Sequence, residues 1–168
     1  MIIYSQRDPK YLHMPLPNAS NPSYITVGNF GCLLSCLANL SQVPTEQILK
    51  EHPECFNSQG FMQTDKLYAY YGFKIRKEPH TPGTPMPVQD TPYIAVTSFY
   101  KKMNPDWGTH YYLRMPDNTS IDSSSAHNPK TVDRYESTCI EIRYVDKLDS
   151  APTGVVNCTH CTLHNCPK

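Results

Sequence analysis

Seven cysteines and seven histidines are the residues best suited to chemistry in this 168-residue chain. The cysteines stand at 32, 36, 55, 139, 158, 161 and 166, an odd number at uneven spacing, with three in the last eleven residues. Cys32 is set apart by its place. It follows Gly31 at the point where a polar, Pro/Asn/Ser-rich opening gives way to the apolar run Cys32-Leu33-Leu34-Ser35-Cys36-Leu37-Ala38-Asn39-Leu40, which predicts a buried helix. A thiol becomes a nucleophile when its pKa is lowered, and a helix N-terminus does this through its unpaired N–H groups and positive dipole end. The same amides can hold an oxyanion, and Gly31 leaves room for a carbonyl to approach. Cys36, one helical turn further in, reads as a small core residue.

The rest of the chain supplies the elements that would position this thiol. Pro44-Thr45-Glu46 starts a second helix with Thr45 as its expected N-cap, and a third begins at Thr64 and stops at Gly72. Residues 72–76, 93–97, 110–114 and 139–145 alternate or are rich in β-branched and aromatic residues and predict strands. Pro116-Asp117-Asn118-Thr119 is turn chemistry, so 109–122 is expected to be a hairpin with His110 and Asp122 on neighbouring strands near one edge. The Pro-rich stretch from His80 to Pro92 is expected to be a surface loop. Helices first and antiparallel strands afterwards predict an α+β domain over residues 1–150. His13, His52 and His80 read as exposed polar residues, Tyr68, Tyr70 and Tyr71 as cover for the core, and Trp107-Gly108 as either a substrate wall or packing.

Composition narrows the partners. Lys+Arg and Asp+Glu both number 15, so no electrostatic footprint for nucleic acid is expected. The N-terminus lacks the basic and apolar regions of a signal peptide, and no stretch is long and apolar enough to span a membrane. Synthesis in the cytoplasm is the expectation.

Residues 151–168 form a Cys/His-rich tail expected to dock on the domain. Cys158 and Cys161 have the spacing for two zinc thiolates, with Cys166 and His164 or His160 completing a tetrahedron. A disulfide within the tail or to Cys139, or docked free thiols, are the alternatives, and each makes the tail a structural staple.

Tyr4-Ser5-Gln6-Arg7-Asp8-Pro9-Lys10-Tyr11, Gly31-Cys32-Leu33-Leu34-Ser35-Cys36-Leu37-Ala38-Asn39 and Thr109-His110-Tyr111-Tyr112-Leu113, with a hairpin ending Ile121-Asp122, follow a familiar order. In that order the chain resembles the bacteriocin-processing-peptidase-like branch of the papain-like cysteine peptidases, including its phage-borne and bacterial stand-alone members. The resemblance implies a papain-like fold, with N-terminal helices packed on a C-terminal antiparallel sheet. It also implies Cys32 as nucleophile, His110 as base, Asp122 as the acid orienting the imidazole, and Gln6 as an oxyanion-hole amide. Here Ser123-Ser124-Ser125 stands where the family usually has Pro, and His127 and Asn128 are alternative orienting groups.

The activity so implied is peptide or amide hydrolysis through a thioester without a catalytic cofactor. The expected substrate is a bacterial cell-wall (peptidoglycan) peptide, as for a phage lysin or a hydrolase carried by virion proteins and released at lysis. Two other readings remain: a virion assembly protein that keeps the fold, and acyl transfer to an amine by the same residues.

Overall fold

The computed structural model describes residues 2–105, 108–124, 130–132 and 135–149. Its first half is helical. A single turn, α1 (Val27–Phe30), is capped by Thr26, whose side chain accepts from the Asn29 N–H, and runs through Gly31 into α2 (Cys32–Ser41). Helices α3 (Thr45–Glu51) and α4 (Thr64–Tyr70) follow. The second half forms strands β1 (Phe73–Pro79), β2 (Tyr93–Thr97), β3 (His110–Arg114), β4 (Thr119–Ile121), β5 (Lys130–Val132) and β6 (Cys139–Lys147), with a short α5 (Phe99–Met103) after β2. The α+β order expected from the sequence is therefore present. The one-turn α1 and α5 are too short to leave a periodic signal, and the sequence reading missed both.

The strands make one sheet in the order β1-β6-β2-β3-β4-β5, and every adjacent pair is antiparallel. The last strand in sequence thus lies between the first two. Hairpin β3–β4 turns at Met115–Asn118, closed by the Asn118 N–H donating to the Met115 carbonyl at 3.0 Å. Asn118 takes the left-handed conformation (φ 62°) that Asn tolerates better than most residues. Two expectations are corrected. β3 is not an edge strand, because β2 and β4 flank it with β5 beyond them, although β4 pairs only with Leu113 and Arg114 and not with His110. Thr45 is not an N-cap: Pro44 holds that position, and the Thr45 hydroxyl is buried without a partner among the described residues.

Both faces of the sheet are covered. Helix α2 crosses β3, and α4 packs against β1. Leu34, Leu37, Ile48, Leu67, Ile94 and Leu113 fill the space between helices and sheet. Full burial of each such side chain contributes roughly 1.5–3 kcal/mol. The far face carries a smaller cluster of Met86, Tyr93, Ala95, Tyr112, Tyr135, Cys139 and Ile142. No helix among the described residues is long and apolar enough to cross a membrane.

Candidate active site

The site forms where the start of α2 meets the start of β3. Gly31 is the N-cap of α2 with an ordinary φ of −84°, so backbone freedom is not what this position requires. A Cβ there would lie 2.4 Å from the Val27 carbonyl oxygen and 2.7 Å from its Cγ1, so only glycine lets α1 close onto α2. Gly31 thereby fixes where Cys32 starts its helix. It is buried and is not among the residues lining the cavity beside the thiol.

Cys32 is half-buried and free. Burial pushes its thiol up, but a hydrogen bond and the charge of His110, with main-chain hydrogen bonds at Tyr111 and Leu33, outweigh this and hold its pKa below the ordinary value. His110 is buried, and its Nε2 lies 2.8 Å from Asp122 Oδ1, which leaves Nδ1 for the thiol. Burial lowers the imidazole pKa, yet Asp122 and Cys32 together raise it to about 10. Burial also pushes the Asp122 carboxyl up, and the His110 and Ser124 hydrogen bonds reverse this and hold it well below the usual carboxylate range. The three groups therefore favour a thiolate–imidazolium pair backed by a carboxylate. One turn along α2, Cys36 has no such base. Burial, then the negative charges of Cys32 and Asp122, push its thiol well above the ordinary value.

Asp122 is fully buried, which an isolated carboxylate could not sustain. Besides His110 it accepts the Ser124 N–H at 2.9 Å, the Ser124 hydroxyl at 2.7 Å and, on Oδ2, the Tyr135 hydroxyl at 2.9 Å. The Tyr100 hydroxyl lies 3.0 Å from that of Tyr135 and 3.1 Å from that of Ser124. Both tyrosine rings meet the imidazole edge-on, with centroids 5.3 Å and 5.7 Å away. Sequence reasoning missed these partners. Ser124 follows the acid by two residues, the spacing at which an Asp side chain accepts a backbone N–H, and that signal was available. Tyr100 and Tyr135 reach the site only through the fold, and nothing in their local sequence marks them.

Gln6 lies against the site rather than in solvent. It is 4% exposed; its Nε2 donates to the Gly28 carbonyl at 2.9 Å, and its Oε1 accepts from Ser123 Oγ at 3.1 Å. These bonds fix which way the amide faces, and Nε2 keeps a second proton with no partner among the described residues. Gln6, Cys32, Gly108 and His110 all border one cavity of about 810 Å³.

Trp107, His127, Asn128 and the tail with Cys158, Cys161, His164 and Cys166 lie outside the described residues. Among the described residues no group of three or more His, Cys, Asp or Glu is placed to hold a metal ion. Of the other histidines, His13 is exposed and His80 half-buried. His80 and His52, also half-buried, thus both depart from the exposed role expected of them, and His52 stacks on Tyr70 at 4.4 Å.

No protein family matches the sequence, and no curated protein or solved structure is significantly similar to the chain.

Proposed function

We propose that the protein is a papain-like cysteine peptidase or amidase. The observation that carries this reading is the Cys32–His110–Asp122 array, in which a half-buried thiol with a lowered pKa shares a hydrogen bond with an imidazole held by a buried carboxylate. The Cys32 thiolate attacks a peptide carbonyl, and the oxyanion is met by the second Gln6 Nε2 proton, unpartnered among the described residues, and the first amides of α2. The His110 imidazolium gives its Nδ1 proton to the leaving amine as the C–N bond breaks, and a thioester remains. Neutral His110 then takes a proton from water, whose oxygen displaces Cys32 as thiolate and restores the ion pair. Acyl transfer would replace that water with an amine.

The proposed substrate is a bacterial cell-wall peptide, and the proposed setting a phage lysin or virion-associated hydrolase. Support for both is the resemblance carried by Gln6, Gly31-Cys32, Thr109-His110 and Asp122.

A thiol-reactive probe near neutral pH tests the nucleophile: Cys32 is expected to label faster than Cys36, and faster than Cys55, whose thiol burial and Glu54 push up to about 11. Equal labelling returns the chain to the reading of a virion assembly protein with no activated thiol. Zymography on bacterial cell walls tests the substrate: clearing by the wild type and none by Cys32→Ala is expected. Equal clearing by both, or none by either, rejects the cell wall.

A further inference from the structure

The cavity beside Cys32 has two chemically different walls. One is aromatic. Tyr24, Phe30 and Phe61 follow one another edge-on, with centroids 5.4 Å and 5.8 Å apart. Tyr24 remains 60% exposed and Phe61 43%, so this row presents a contiguous apolar surface next to the thiol.

The other wall is cationic. Lys77 on β1 and Arg143 on β6 are direct cross-strand partners, and Arg7, next to Gln6, adds a third positive charge to the lining. Like charges opposed across an antiparallel pair repel, so this placement opposes folding rather than helping it. Arg143 is partly neutralised: its Nε donates to Glu141 at 2.6 Å and its Nη2 to the Tyr111 hydroxyl at 3.3 Å. Lys77 and Arg7 form no ion pair among the described residues. No carboxylate among the described residues lines the cavity, although the chain has as many acidic as basic residues. Positive charge left unbalanced in the lining of a concave site concentrates anions.

We propose that the Cys32 site takes acidic peptides, in which a carboxylate is drawn by the positive lining, Lys77 with its cross-strand neighbour Arg143 and, beside Gln6, Arg7, while a bulky apolar side chain lies against Tyr24, Phe30 and Phe61. The carboxylate is an Asp or Glu side chain or a free C-terminus. This substrate class rests on Cys32 being the nucleophile.

Iodoacetate and iodoacetamide alkylate the same thiolate and differ in charge, so their rate ratio at Cys32 reads the field of the wall. The ratio is measured on the full chain at pH 7 by mass spectrometry and divided by that of a small free thiol. It is expected to exceed one several-fold, and to fall roughly threefold in each of Lys77→Gln and Arg7→Gln. His110 is present in all three proteins, so the fall belongs to the wall. A ratio that neither substitution moves overturns the proposal. If both reagents modify Cys32 no faster than Cys36 and Cys55, the nucleophile reading has failed instead, and binding decides the wall separately.

For binding, Cys32→Ala protein is titrated with three fluorescent peptides: Phe-Gly-Glu amide, Phe-Gly-Gly free acid and Phe-Gly-Gln amide. Tighter binding of either acid, by about tenfold, supports the cationic wall and tells a side-chain carboxylate from a terminal one. Equal binding of all three overturns it. Replacing Phe by Ala in the better acid is expected to weaken binding by a similar factor, and no change removes the aromatic wall from the proposal.

Discussion

On the helical side of the sheet, Leu34, Leu37, Ile48, Leu67, Ile94 and Leu113 fill space by shape alone. On the far side, the rings of Tyr93, Tyr112 and Tyr135 pack with Met86 and Ile142, and Tyr100 lies against them. The hydroxyls of Tyr100 and Tyr135 reach out of that second cluster to Ser124 and Asp122. The two sides thus do different work. The aliphatic side fixes where α2 lies, and so where Cys32 sits. The tyrosine side fixes the direction in which His110 and Asp122 point, because hydrogen bonds have directions and methyl contacts do not. A nucleophile can be delivered by packing, but a base also needs its tautomer and orientation set.

Substitutions on the two sides should therefore fail differently. The largest effect is expected from Asp122→Asn, which keeps the shape and removes the charge. It should cost about 10²–10⁴-fold in kcat/KM. In the wild type, activity should rise at a pH below the ordinary thiol value and decline through the His110 pKa of about 10. Without the carboxylate the imidazole loses the partner that raises its pKa, so the alkaline limb should move down and the acid limb up, in a pH–rate profile.

Leu37→Ala is next, with an expected loss of about 2–5 kcal/mol in denaturant unfolding. Both limbs of the pH profile should stay in place; if they shift as far as in Asp122→Asn, the division between the two sides is wrong. Tyr135→Phe should do the reverse, costing about 1 kcal/mol in stability and about tenfold in rate. A Tyr135→Phe protein that unfolds like Leu37→Ala yet keeps full activity would make this tyrosine mere filling. The smallest effect is expected from Ser123→Ala, which releases Gln6 Oε1 and should lower kcat a few-fold with KM unchanged.

Much of this architecture was legible because it is local. The aromatic run in 110–114 and alternation in 139–145 gave β3 and most of β6, Pro116 to Thr119 gave the hairpin turn, and the apolar run from Cys32 gave α2. The candidate residues Cys32, His110 and Asp122, which the fold brings together, were marked by a helix start, a hairpin and a family resemblance. What stayed hidden is long-range. The insertion of β6 between β1 and β2 pairs Arg143 with Lys77, and no local pattern encodes that register. The Tyr135 contact to Asp122 depends on the same assembly. Gln6 was marked by the resemblance alone, because the groups that hold its amide, Gly28 and Ser123, are remote in sequence.

The interior place of β3 has one more consequence. Its backbone pairs with β2 from His110 to Arg114 and with β4 at Leu113 and Arg114. The amides of β3 should accordingly exchange with deuterated water only on deep opening of the domain, as slowly as those of the aliphatic core. Tyr24 and Phe61, on segments outside the sheet, are free of that restraint. His110 thus stands on backbone tied into the sheet, whereas the aromatic residues beside the cavity stand on backbone held by local hydrogen bonds such as those between Phe61 and Asn57.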